Sequence, residues 1–99
     1  MYLIREIMHC KPGKANELVK RFKQMEPFMR EAGIKEVPRV MTDMSGERFW
    51  TVVSEQTVDT LEQYLQLTRQ TMTDPRVQKI MQGYHDFVES GSREIYKVE

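Results

Sequence analysis

The chain holds a single cysteine, Cys10, in 99 residues. No internal disulfide can form, which excludes the disulfide-dense secreted scaffolds. No apolar run approaches the ~18 residues of a helical membrane span. Arg5 and Glu6 interrupt the first apolar stretch, so the basic-then-apolar layout of a signal peptide is missing as well. The expectation is a cytoplasmic protein with no membrane partner. Charge of one sign is also lacking, because fifteen basic and fifteen acidic residues cancel. A general nucleic-acid binder needs a basic excess, so nucleic acid is not expected as a partner. The five glycines are scattered, which leaves no phosphate-cradling loop. Gly-x-Ser-x-Gly, Cys-x-x-Cys and His-x-x-x-His are all absent. No motif calls for a metal or any other cofactor.

What is present suits one domain, residues 1–99. A chain of 11.8 kDa buries about 65% of its unfolded surface, enough for one modest core. Methionine is abundant, at eight residues, and serves as filler for irregular cores or adaptable interfaces. Tyr2 to Cys10 reads as a strand ended by Lys11-Pro12-Gly13. From Lys14, Ala15, Leu18, Val19, Phe22, Met25, Met29 and Ala32 recur at helical spacing. Pro27 predicts a kink or break near Gln24 to Glu26, and Gly33 a C-terminal cap. Lys14, Lys20, Arg21 and Lys23, diluted by Glu17 and Glu26, read as a solvated helix face.

Glu36 to Thr42 reads as a second strand and Arg48 to Glu55 as a third, joined by a turn at residues 43–46 in an antiparallel hairpin. Thr57 or Asp59 is the expected cap of the next helix, with Val58, Leu61, Leu65 and Met72 on one face and Tyr64 beside it. Asp74-Pro75 restarts the pattern as N-cap and first turn. Val77, Ile80, Met81, Tyr84, Phe87 and Val88 carry it on to Gly91, and Arg93 to Val98 is the last strand. This βαββαβ order is the ferredoxin-like arrangement, an α+β fold with both helices on one face of a four-stranded antiparallel sheet. Apolar residues lie on both faces of the first and third strands, so the second face is expected to be covered by another copy of the chain.

With those elements in place, the chain resembles the dimeric α/β barrel superfamily, in which two ferredoxin-like subunits pack sheet against sheet. The first strand followed by His9-Cys10-Lys11-Pro12-Gly13-Lys14 resembles the start of NIPSNAP-type domains. Trp50 before Thr51 to Glu55, followed by a polar cap and a helix, fits the same picture, as do antibiotic-biosynthesis-monooxygenase-like domains. The resemblance implies a homodimer through the sheet face and a pocket between helices and sheet in each subunit. It also implies binding of a small hydrophobic or aromatic molecule there, or cofactor-independent monooxygenase-like or isomerase-like chemistry. A non-catalytic interaction protein with a filled core is one alternative. Heme-degrading relatives hold iron through a late-helix histidine, so a heme protein using His85 is another.

The residues that could carry such chemistry are few. His9 and His85 are the only histidines and are the candidate proton-transfer groups. Arg5 is the candidate for an anionic oxygen of a ligand, and Trp50 and Tyr84 for aromatic walls. Glu6 could serve as a base if buried. Cys10 and His9 are adjacent, and side chains at i and i+1 of a strand face opposite ways, so they do not pair as nucleophile and base. Arg5 and Glu6 likewise fall on opposite faces, and a buried charge must be paired.

Overall fold

A computed structural model describes residues 1–99. Its elements are β1 (Tyr2–Cys10), α1 (Ala15–Glu31), β2 (Arg39–Thr42), β3 (Thr51–Val58), α2 (Leu61–Met72), α3 (Pro75–Ile80), α4 (Tyr84–Phe87) and β4 (Val88–Lys97). The strands form one antiparallel sheet in the order β2-β3-β1-β4. This is the expected ferredoxin-like topology. Each helical crossover joins two strands that are not neighbours, and the helices cover a single sheet face.

Strand alternation sorts the two faces. Ile4, Met8 and Cys10 of β1 and Val52 of β3 are buried toward the helices. Met8, Cys10 and Val52 meet Ala15 and Leu18 of α1, together with Phe87 and Val88, in one core. Leu3, Arg5, Ile7 and His9 occupy the other face. Only 12 of 99 residues are buried, and the chain exposes 6929 Å². A compact monomer of this mass exposes about 5,900 Å². The excess of about 1,000 Å² belongs to a thin molecule, 17 Å along its shortest axis, with one layer of helices on one layer of sheet.

Several expectations from the sequence are corrected. α1 runs unbroken through Pro27. The ring removes one hydrogen bond, but Met25 is buried on one side of it and on the other Met29 faces the sheet side while the Phe28 ring lies under the Arg76 guanidinium at 4.4 Å, so packing outweighs the loss. Past Ala32, Gly33 adopts φ 104°. Its N–H donates to Arg30 O and that of Ile34 donates to Met29 O, which is a Schellman closure. β2 is limited to Arg39–Thr42 and β3 starts only at Thr51, so the hairpin is joined by residues 43–50 and not by a four-residue turn. Asp43 holds that loop, its carboxylate accepting from Thr51 N–H at 2.8 Å.

α2 is capped by Thr60, whose side chain accepts from Gln63 N–H at 3.1 Å. It turns a different stripe inward from the one its leucines suggest. Tyr64 and Thr71 are buried, while Leu61 and Leu65 are 37% and 56% exposed. The Thr71 hydroxyl donates to Leu67 O at 2.9 Å, so its burial leaves no unpaired group. Asp74 caps α3 with Pro75 in the first turn, as expected. The last helix then ends early. Gly83, at φ 82°, separates α3 from the single turn of α4, and β4 begins at Val88. Gly91 therefore lies inside a strand, where a Cβ would come within 3.2 Å of Ile7 O.

Arg21 is not part of a solvated face. Its guanidinium donates to Ile80 O and Gln82 O, satisfying carbonyls left over at the end of α3, and lies over the Phe87 ring at 5.5 Å. This ties α1 to the break in the last helical segment. Because Leu18 is completely buried at the centre of the core, Leu18→Ala is expected to cost about 3 kcal/mol, read as a lower urea midpoint at unchanged slope.

Candidate functional site

Between the helix layer and the sheet lies a cavity of about 380 Å³. Its floor is the helix-facing side of the sheet, with Glu6 and Met8 of β1, Val40 of β2, and Ser54 and Gln56 of β3. α1 contributes Phe22, Met25, Glu26 and Met29, and α2 contributes Tyr64, Thr68, Thr71 and Met72. Met81 and Tyr84 close it from either side of the Gly83 break. Five of the eight methionines line this space, so they form the wall of a hollow and do not fill it.

Glu6 gathers one group of polar side chains on this wall, and Ser54, Gln56 and Thr68 are further polar residues of it. Tyr64 donates its hydroxyl hydrogen to Glu6 Oε1 at 3.1 Å. Arg93 of β4 reaches the same oxygen at 3.3 Å, and its guanidinium lies 5.6 Å from the Tyr64 ring centre. Tyr84 has a free hydroxyl, with its ring edge-on to Phe87 at 5.9 Å. Burial, and then the Glu6 carboxylate, push the Tyr64 and Tyr84 phenols above their ordinary value. Both stay protonated at neutral pH and can donate a hydrogen bond.

The structure divides the residues singled out from the sequence. Tyr84 lines the cavity. Arg5 and His9 are on the opposite sheet face, in a shallow depression of about 400 Å³ beneath the loop 43–50. There Arg5 Nε donates to Glu55 at 2.8 Å, and a second contact reaches Glu94 at 3.4 Å. Arg39 joins Glu55 from the other side at 3.4 Å. A row of alternating charge, Arg39-Glu55-Arg5-Glu94, thus crosses all four strands, and Arg5 is fully engaged by carboxylates. His9 Nδ1 lies 3.4 Å from Thr51 Oγ1. His85 is exposed on α4 and lines neither space, because the left-handed Gly83 resets the helical phase carried by Met81. Trp50 also lines neither. It sits in the loop before β3 at φ 60°, the sole non-glycine with positive φ, and is 43% exposed. Its carbonyl accepts from Cys10 N–H at 2.8 Å, which holds the strained loop end against β1. Burial pushes the Cys10 thiol up, away from reactivity. No group of three or more His, Cys, Asp or Glu side chains is placed to hold a metal ion.

Tyr64, Glu26 and the five clustered methionines are cavity residues that no motif of the sequence marks. Tyr64 follows Thr60 by four residues, one turn inside α2. Only the register of β1 beneath α2 shows that it meets Glu6.

The fold and the cavity define a ferredoxin-like α+β domain with a ligand-sized space between its two layers. No protein-family model matches the chain, and no curated protein matches it. Solved structures do. A NIPSNAP-family protein of unknown function from Agrobacterium tumefaciens aligns over 99% of this chain and 87% of its own, with TM-score 0.82 and 16% identity. A NIPSNAP-like domain protein from Burkholderia xenovorans covers 99% of this chain and 84% of its own, with TM-score 0.82 and 13% identity. An antibiotic biosynthesis monooxygenase covers 100% and 99%, with TM-score 0.70 and 7% identity. At these identities the likeness establishes the fold, which is the one the Lys-Pro-Gly-Lys resemblance implied.

Two titrations test the electrostatics. Of the four tyrosines, Tyr64 and Tyr84 should ionise late, above pH 10.0, in an ultraviolet absorbance titration. Tyr64→Phe and Tyr84→Phe should each remove one late step. The Arg5 guanidinium, opposed by burial and helped by Arg39, holds the Glu55 carboxyl below its ordinary 4.5. A depressed carboxylate contributes stability that is present above its unfolded value and lost as pH falls through the folded one. Urea midpoints should therefore drop below pH 4.5, and Glu55→Gln should flatten that drop.

Proposed function

We propose that the chain binds a small hydrophobic or aromatic molecule in the cavity between its layers, and that it works as a homodimer joined through the open sheet face. The single observation that carries the binding reading is the cavity itself. Its volume of about 380 Å³ falls within the ~300–1,000 Å³ of small-molecule sites, which are mainly apolar with a few placed polar groups. A core filled by its own side chains would leave no such space. The dimer is supported by the excess surface of about 1,000 Å², against the ~800 Å² each partner buries in a standard interface. It is also supported by Leu3, Ile7, Met41, Val53 and Tyr96 on the open face, around the charged row.

If the bound molecule is transformed, the groups within reach favour cofactor-independent proton transfer, which is the whole of an isomerase-like reaction and only the first step of a monooxygenase-like one, where dioxygen would be the oxidant of the deprotonated substrate. Glu6 would accept a proton, and the Tyr84 hydroxyl would hold a developing oxyanion. Tyr64 then keeps Glu6 in place. These roles go to cavity residues because His9 and Arg5 stand on the opposite face and His85 on the surface.

A neutral fluorescent probe, N-phenyl-1-naphthylamine, should bind with one site per chain. Ser54→Leu, which puts a larger side chain on the cavity floor, should weaken it about tenfold or more at unchanged melting temperature. Equal binding by Ser54→Leu would place the probe elsewhere and remove the reading. Native mass spectrometry should give the mass of two chains, and Ile7→Glu, a charge in the centre of the open face, should return a chain of 11.8 kDa that still binds the probe. A wild-type monomer would remove the dimer and leave the cavity.

A further inference from the structure

The ionised groups on the cavity wall are all of one sign. Glu6 and Glu26 line it, and no lysine, arginine or histidine does. Glu26 takes part in none of the ion pairs of the structure. Glu6 is engaged on one oxygen only, since Tyr64 and Arg93 both meet Oε1. Its Oε2 accepts from no protein group, and no buried side-chain nitrogen or oxygen is without a partner, so Oε2 opens onto accessible space. Arg93 approaches from outside, with its side chain 48% exposed, and does not reach the wall.

This charge pattern discriminates among apolar ligands. A carboxylate or phosphate entering the cavity would lose its hydration and meet Glu26 and the open oxygen of Glu6, with Arg93 already paired to Glu6 and no cation on the wall itself, which is unfavourable in a confined, partly desolvated space. A neutral molecule would gain only burial. An ammonium would gain burial together with a charge-assisted hydrogen bond to the open oxygen of Glu6. Aromatic faces and polarisable sulfur add to that preference, because Phe22 and Tyr84 line the same space as the methionines and both groups accommodate an organic cation well.

We infer that the occupant of the cavity is an apolar amine, an aromatic or branched-alkyl ammonium ion, with its nitrogen on Glu6 Oε2 and its hydrocarbon body among Met25, Met29, Met72 and Met81. The inference rests on the binding reading above and specifies the ligand class. It accounts for an acidic residue between Ile4 and Met8 on the helix-facing side of β1. It also gives Tyr64 a definite task, which is to hold Glu6 by one oxygen so that the other stays presented.

Three probes of one shape separate the terms: 1-naphthylmethylamine, 1-naphthylmethanol and 1-naphthoate, titrated into the full chain by calorimetry at neutral pH. The amine should bind about tenfold more tightly than the alcohol, as expected for a hydrogen bond to a charged group, and the naphthoate most weakly. Glu6→Gln should cut amine binding about tenfold and leave the alcohol within about twofold. Glu26→Gln should act in the same direction by a smaller factor, and it keeps the test open if Glu6→Gln fails to fold. Equal binding of amine and alcohol, or naphthoate binding as tight as the amine, overturns the inference while the cavity reading survives. If none of the three probes binds and N-phenyl-1-naphthylamine does not bind, both fall together.

Discussion

Two opposed charge pairs fix the register of β1 against β4, and the placement of everything else follows. Arg5 faces Glu94 and Glu6 faces Arg93. Each strand carries the same tripeptide, Arg5-Glu6-Ile7 and Arg93-Glu94-Ile95, and antiparallel pairing brings unlike charges together on both faces at once. A slip of one residue in one direction sets Arg5 opposite Arg93. A slip in the other direction sets Glu6 opposite Glu94. Like charges directly opposed are destabilising, and the same slip would turn Ile4 and Met8 out of the core. Each pair by itself is worth little, roughly 0.2–1 kcal/mol for partly exposed ions. Their effect lies in making every alternative register worse.

The native register sends neighbouring charges of β1 to different work. Arg5 becomes the centre of a row of alternating charge across the open face. Glu6 becomes the floor of the cavity on the helix side. Two-sided strands of this kind explain why so few residues are fully buried in a chain with so much apolar sequence. Part of its apolar surface looks across the open face, and part looks into a space that its own side chains leave unfilled.

The βαββαβ order was legible because its punctuation is chemical. Lys11-Pro12-Gly13, Gly33 and Asp74-Pro75 each impose a backbone conformation that stops or starts an element, and the structure uses all three as read. What was not legible depended on tertiary contact. Pro27 looks like a break until Met25 and Met29 are seen anchored on either side of it. The leucine stripe of α2 looks like the buried face until Glu6 is seen to require Tyr64. Gly91 looks like a helix stop, yet the helical phase had already ended at Gly83, and that also removed His85 from the inner stripe. Arg5 could not be assigned a face from the sequence, although the repeated Arg-Glu-Ile held its partner. Read as an antiparallel pair, it puts Arg5 with Glu94 on one side and Glu6 with Arg93 on the other.

The methionines connect the fold to its use. Leucine or isoleucine at Met25, Met29, Met72 and Met81 would be stiffer and better suited to a close-packed interior. Unbranched thioethers adjust to the shape of what they meet, which is of little value in a core and of much value around a variable guest. A wall of this kind confers affinity for apolar bulk without strong selection of shape. Discrimination must then come from the few polar side chains of the wall, among them Glu6, Glu26, Ser54, Gln56 and Tyr84. The relatives that share the fold at 7–16% identity retain the scaffold without any requirement to retain these atoms. Similarity of fold therefore carries no information about the ligand, and the chemistry of this chain has to be read from its own cavity wall.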